Sequence, residues 1–300
     1  MRISLEEAVA RLSRAELVAF PTETVYGLGA DAADPIALRR VFATKGRPVD
    51  HPLIVHVNSL EAAERLGVFD ARARALARRF WPGPLTLVLP RRSGVPDEVT
   101  GGLETVGLRI PAHPLALGLL AAFPSGLAAP SANRFGRTSP TTATHVEEEL
   151  GLGFPILDGG PCAVGVESTI VELPADGAAP ALLRPGGLPT EVIVTLIGPL
   201  GRSVTRAPGT LTAHYAPRTS LLLAEDPEAR AAELRDRGLR VALLPAGEPA
   251  EHARRLFAEL RALDQLGVDV LVAGLAVEAG LGVAVNDRLR RAAAGSPLRG

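Results

Sequence analysis

Cysteine and lysine occur once each in the 300 residues, as Cys162 and Lys45. A lone thiol excludes an internal disulfide and any zinc site built on several cysteines. Aromatic residues are only 4% of the chain, so the apolar mass, 47% in all, comes mainly from Ala, Leu and Val. No apolar run approaches the ~20 residues of a membrane span. An excess of positive charge is also missing: 32 Lys and Arg face 33 Asp and Glu, for a net charge of -1. Strong direct nucleic-acid binding is therefore not expected, because proteins that coat nucleic acid are usually basic. The start, Arg2-Ile3-Ser4-Leu5-Glu6-Glu7, lacks the charged-then-apolar signal pattern, which predicts a cytoplasmic protein.

Some motifs are absent as well. No G-x-x-x-x-G-K-[ST] phosphate loop exists, no Ser/His/Asp order suggests a nucleophile elbow, and no His/Glu spacing suggests a metal cage. Gly27-Leu28-Gly29-Ala30-Asp31-Ala32 matches a dinucleotide fingerprint, but no helix follows it directly, so close backbone turning is the expected role of these glycines.

What is present is a mixed succession of helices and strands. Ser4 with Glu7 forms a capping box for a helix over 4–15, and Asp34-Pro35 opens another that Gly46 stops. Helices are predicted over 71–80, 114–122 and 189–197. Strands are predicted over 17–20, 53–57, 85–89, 106–110, 127–130, 156–157, 169–173 and 181–183. The order is irregular, which predicts an α/β domain with a curved, mixed sheet over 1–197. Residues 198–217 lose periodicity and carry Pro199, Gly201, Pro208, Gly209 and Pro217, the composition of a linker. Beyond it, strands at 220–223, 241–244 and 268–272 alternate with helices at 227–237, 251–266 and 283–294. Over 218–300 this predicts a small Rossmann-like parallel α/β C-terminal domain.

Polar groups recur at strand ends. Thr22, Glu23, Thr24 and Tyr26 follow the first strand, Ser131 and Asn133 follow another, and Ser168 and Thr169 precede a third. Lys45 and Arg47 flank Gly46, and the lone lysine in an arginine-rich chain suggests a need for a compact ammonium. Each has a plainer alternative: solvated turns for the hydroxyls, helix-end cations for Lys45 and Arg47, and a core histidine for His56. Hydroxyls and cations without a nucleophile fit catalysis by positioning and charge neutralisation, as in phosphoryl and nucleotidyl transfer.

Eight stretches together resemble the YrdC-type threonylcarbamoyl-AMP synthases. They are 21–28, Lys45-Gly46-Arg47-Pro48, 52–56, 81–86, 105–109, Ala129-Pro130-Ser131-Ala132-Asn133, Glu167-Ser168-Thr169-Ile170 and Leu183-Arg184-Pro185-Gly186. The likeness continues into His214-Tyr215-Ala216-Pro217 and Asn286-Asp287-Arg288-Leu289, so it is similar to the long, two-domain form, with a YrdC-like catalytic domain first. The resemblance implies synthesis of threonylcarbamoyl-AMP from L-threonine, bicarbonate and ATP with release of pyrophosphate. The product would pass to tRNA threonylcarbamoyl-transfer proteins.

By motif position, Thr24, His56, Arg109, Ser168 and the backbone of Ala129 would hold threonine. Lys45, Arg47, His51, Thr105, Ser131, Asn133, Ser139, Arg184 and Tyr215 would hold ATP, with Lys45 and Arg47 offsetting charge on the leaving pyrophosphate. Mg²⁺ would come with ATP, held by phosphates and waters rather than by a protein cage. Two departures stand out: His51 replaces a frequent asparagine, and 208–213 lacks the usual basic residues. The competing readings are an RNA-binding YrdC-like module and a carbamoyl-transfer domain of the hydrogenase-maturation type. The lone cysteine speaks against the latter, whose proteins carry cysteine-rich zinc segments.

Overall fold

Capping groups set the first helices. Ser4 Oγ accepts the Glu7 N–H at 3.2 Å and opens α1 (Leu5–Leu12). Asp34 accepts from Ile36 N, Pro35 occupies the first turn, and Gly46 at φ 63° closes α2 (Pro35–Lys45). The chain is seen here in a computed structural model, which describes residues 1–296 apart from Pro124, Asp176 and Arg202.

Eight strands make one mixed sheet. They are β1 (Val18–Phe20), β2 (Gly27–Asp31), β3 (Ile54–His56), β4 (Leu85–Pro90), β5 (Thr105–Arg109), β6 (Leu127–Ala128), β7 (Thr169–Glu172) and β8 (Ala181–Arg184). Their spatial order is β1-β2-β6-β3-β5-β4-β7-β8. β3 with β5 and β4 with β7 pair in parallel, and the remaining neighbours pair antiparallel.

The registers decide what each face of the sheet carries, since side chains alternate with period two. His56 opposes Arg109, Ile54 opposes Gly107 and Val88 also opposes Gly107, while Phe20 opposes Gly27. These residues therefore share one face, together with Thr86, Ile170 and Arg184. The intervening residues, such as Ala19, Leu28, Val55, Leu87, Leu108, Ala128 and Val171, fill the main core on the opposite face. α3 (Leu60–Glu64), α4 (Ala71–Phe80), α5 (Asp97–Thr100), α7 (Ala143–Leu150) and α8 (Thr190–Ile197) complete this part. α1 and α6 (Pro114–Ala122) cover only the β1 and β6 end of the first face, through Leu12, Leu119 and Leu120 against Phe20 and Leu127. In the middle of that face Ala207 packs on Ile54, Val88 and Ile170, and the rest stays free for a site.

The second sheet is wholly parallel, in the order β10 (Val241–Leu243), β11 (Val270–Ala273), β9 (Ser220–Leu223). α9 (Pro227–Asp236), α10 (Pro249–Asp264) and α11 (Leu281–Gly295) accompany it. The α/β class and the small parallel second unit match the expectation. Leu256, Phe257, Leu260, Val285 and Leu289 form its core, and the same cluster takes in Val25, Val166 and Tyr215 from outside.

Two expectations are corrected. Residues 27–31 form a strand rather than a turn; the Phe20 ring lies so near Gly27 and Gly29 that a Cβ would sit 3.0–3.3 Å from it. Absence of a side chain there serves close packing, not chain reversal. Ile156 makes only isolated bridges, to Arg2 and Ala19, so 156–157 is not a strand.

Candidate active site

The loop from β1 to β2 is folded by its own hydroxyls. Thr22 Oγ1 accepts from the N–H groups of Thr24 and Val25, both at 3.2 Å, and donates to the Val25 carbonyl at 2.6 Å. This turn delivers Thr24 Oγ1 to Arg109, whose Nη2 donates to it at 2.9 Å and to Glu23 Oε1 at 2.8 Å. Glu23 Oε2 accepts from Ala112 N at 3.0 Å, so the buried carboxylate is fixed on both sides. His56, opposite Arg109 in register, has a buried Nδ1 with no hydrogen-bond partner among the described residues. Burial, and then the Arg109 charge, push its imidazole down to about 3, so the ring is neutral.

A second corner is cationic. The Lys45 ammonium donates to the Ser131 carbonyl at 2.5 Å and to the Asn133 carbonyl, tying the end of α2 to the loop after β6. Asn133 Nδ2 donates to the carbonyls of Arg134 and Arg137, each at 2.8 Å, and holds that loop's shape. Arg47 donates to Pro52 O at 2.9 Å and lies 5.6 Å from the Phe135 ring centre. Burial pushes Arg47 down to about 10, and burial with the Arg47 charge holds Lys45 well below the usual ammonium range.

The third corner joins β7, β8 and the segment before the second sheet. Ser168 Oγ is 2.7 Å from Thr86 Oγ1, and the Arg184 guanidinium donates to Ser168 O at 2.8 and 3.2 Å. Gly186 permits this, since a Cβ there would strike the backbone at Glu167, Ser168 and Thr169. Arg184 Nη1 also reaches Pro208 O at 2.9 Å and the Tyr215 hydroxyl at 3.5 Å. Tyr215 is buried at φ 61°, in the left-handed region that non-glycine residues seldom adopt. Pro208, Gly209, His214 and Tyr215 all line the cavity.

One cavity thus gathers Thr24, Lys45, Arg47, His56, Arg109, Ala129, Ser131, Asn133, Ser168, Arg184 and Tyr215. Three expected contacts lie outside its lining. Ser139 sits behind it, donating to Glu167 Oε1 at 2.5 Å. His51 packs edge-on against Phe135 with ring centres 5.4 Å apart. Thr105 lines an adjoining depression with Arg206, which shares Ile54 and Pro208 with the cavity. Glu167 and Phe135 line the cavity without having been assigned a role from sequence. Glu167 could have been suspected from its place before Ser168; a single phenylalanine in a loop gives no signal.

Lys45, Arg47 and Arg184 form no ion pair among the described residues, and all three are buried. Uncompensated buried cations are costly unless an anion joins them. The cavity is therefore suited to an anionic ligand beside a corner of neutral and paired hydrogen-bonding groups. Among the described residues no cluster of three or more His, Cys, Asp or Glu could hold a metal ion. The cavity-lining carboxylate of Glu167 has its oxygens engaged by Ser139 and Arg288.

A family model for the Sua5, YciO and YrdC proteins, described as "Telomere recombination", matches residues 10–186. The chain belongs to this family. A second model, described as "Threonylcarbamoyl-AMP synthase, C-terminal domain", matches residues 189–294 of this Sua5/YrdC family member. Its relatives include the threonylcarbamoyl-AMP synthase of Pyrococcus abyssi, 46% identical over 92% of this chain and 90% of the relative. The enzyme of that name from Bacillus subtilis is 40% identical over 98% and 94% of the two chains. The crystal structure of P. abyssi Sua5 complexed with L-threonine superposes with a TM-score of 0.91 at 43% identity, covering 98% of this chain and 97% of that one.

Proposed function

We propose that this Sua5/YrdC family member is a threonylcarbamoyl-AMP synthase, joining L-threonine, bicarbonate and ATP and releasing pyrophosphate. The observation that carries the reading is the placement of three buried basic side chains, Lys45, Arg47 and Arg184, which form no ion pair among the described residues, in the same cavity as Thr24, His56 and Arg109. A triphosphate supplies the missing negative charge, and an amino acid's polar groups suit the other corner.

In this reading Thr24, Arg109, Ser168 and the Ala129 backbone hold threonine, and the unpartnered Nδ1 of neutral His56 meets a polar atom of it. The threonine amine takes up carbon dioxide from bicarbonate, giving a carbamate and water. A carbamate oxygen attacks the α-phosphorus, the bond to the β-phosphate oxygen breaks, and pyrophosphate leaves with that electron pair. Lys45, Arg47 and Arg184 stabilise charge growing on the leaving group, while Ser131, Asn133 and Tyr215 line the nucleotide side. Ser139 acts on that side through Glu167, and His51 and Thr105 act from outside the lining. Mg²⁺ would be held by the triphosphate and waters rather than by protein carboxylates, and would offset phosphate charge there.

Residues 198–217 serve as a linker that also closes the site, between a catalytic unit at 1–197 and a second unit at 218–300. The product passes, in the cytoplasm, to proteins that transfer threonylcarbamoyl to tRNA. The test is pyrophosphate release with each substrate omitted in turn. Release should require threonine and bicarbonate together; ATP turnover at the same rate without threonine would overturn the proposal.

A further inference from the structure

Arg288, in the Asn286-Asp287-Arg288-Leu289 stretch, has no role in the reading above. It belongs to α11, beyond the catalytic unit, and is fully buried at 0% exposure. Its Nε donates to Glu167 Oε2 at 2.7 Å, and its Nη1 donates to Pro185 O at 3.0 Å and to Asp287 Oδ2 at 2.6 Å. Its guanidinium carbon lies 5.0 Å from the Tyr215 ring centre. One side chain thus touches the segment before β7, the turn after β8 and the tyrosine at the linker's end.

We propose that Arg288 is a positioning residue for the nucleotide side of the cavity, acting through Glu167, Pro185 and Tyr215, so that the second unit completes the first unit's site. This rests on the reading of that side as the ATP side.

Neighbouring groups follow the same plan. The other oxygen of Glu167 accepts from Ser139 Oγ at 2.5 Å, so Arg288 fixes a carboxylate that in turn fixes an expected ATP contact. Asp287 also accepts from Arg291 Nε at 3.0 Å, and Arg291 Nη1 donates to the linker carbonyl of Leu211. The backbone of Arg291 accepts from His214 N at 3.2 Å. Asn286 bonds both the N–H and the carbonyl of Ala276, which fixes the loop that feeds α11. In the opposite corner Arg109 has its own carboxylate partner in Glu23 and makes no hydrogen bond or ion pair with α11 among the described residues. Loss of Arg288 should therefore act first on the nucleotide side and leave the Arg109–Glu23 pair in place.

The experiment measures pyrophosphate release, threonine binding by calorimetry and thermal melting for the full-length chain. Arg288→Gln should raise the KM for ATP or lower kcat by about tenfold while threonine affinity stays within about twofold. Ser139→Ala should then add little in the Arg288→Gln background, because both act through Glu167. ATP KM and kcat both within twofold of the unsubstituted chain would overturn the proposal. Removing one member of a buried ion pair often prevents folding. If Arg288→Gln does not fold, Glu167→Gln with Arg288→Gln removes both charges and keeps polar atoms in contact. Native melting with impaired ATP kinetics would then support positioning; recovery of melting and kinetics together would reduce Arg288 to a structural role. Absence of threonine-dependent pyrophosphate release in the unsubstituted protein would instead fault the proposed function.

Discussion

The Lys45 ammonium lies 2.5 Å from the carbonyl oxygen of Ser131, and the same group donates to Asn133 O. The single lysine therefore ties the end of a helix to the loop after β6 and has no carboxylate partner among the described residues. A guanidinium spreads its charge over a wider, planar fork and does not place a compact three-donor point charge between these two carbonyls. Lys45→Ala should reduce turnover by about 2–4 kcal/mol of transition-state stabilisation. Lys45→Arg should fail to restore it. Steady-state pyrophosphate release checks both, and near-normal kinetics for Lys45→Arg would make the lone lysine incidental.

The Glu23–Arg109 pair should prove necessary to the opposite corner. Both side chains are nearly buried, with 11% and 5% exposure, and Glu23 also anchors the Ala112 N–H. Removing one partner leaves a buried charge without compensation, at a cost of about 3–5 kcal/mol. Glu23→Ala should lower the unfolding free energy by about that amount and weaken threonine binding more than tenfold. Chemical denaturation and calorimetry measure the two; unchanged threonine affinity in folded Glu23→Ala would refute the coupling.

Acid should destabilise the protein through its buried histidines. His56 and His214 are both pushed down to about 3 from an ordinary value of 6.5, first by burial and then chiefly by nearby cations, with Glu167 partly opposing this at His214. The unfolded chain takes up these protons below about pH 6.5 while the folded chain refuses them. Stability is therefore intact above that pH and declines as pH falls towards 3. At pH 5 each histidine should cost about 2 kcal/mol. Melting between pH 7 and 4.5 checks this, and His214→Asn should flatten the slope. An unchanged slope in that variant would show that His214 titrates normally.

Legibility in the sequence followed the range of the forces involved. Helices α2, α4 and α6 are specified by caps, proline and glycine a few residues apart, and their boundaries were readable to within a residue. β2 was not readable, because its glycines matter only once the Phe20 ring is laid over them by strand pairing. Most expected site residues do meet in one cavity, since their motifs end strands whose order in the sheet is fixed by long-range pairing. Arg288 lay within a recognised stretch, yet its contact with Glu167 spans 121 residues, and no local pattern announces such a distance.

The linker should respond to ligands. Its Pro208 carbonyl accepts from Arg184 at 2.9 Å, and its Gly209, at φ 76°, lies so close that a Cβ would strike the Tyr215 hydroxyl. The linker therefore touches a cation placed on the nucleotide side, and a triphosphate entering there must share or take over that contact. Both the carbamate and the adenylate are open to hydrolysis, so closing the segment over them would protect the reaction by excluding water. ATP with threonine should slow protease nicking within 203–217, and Tyr215→Ala should weaken ATP binding and lower turnover. Ligands that give no protection, together with a Tyr215→Ala variant that keeps both properties, would leave the segment as a tether that merely packs Tyr215 against Phe257, with ring centres 5.6 Å apart.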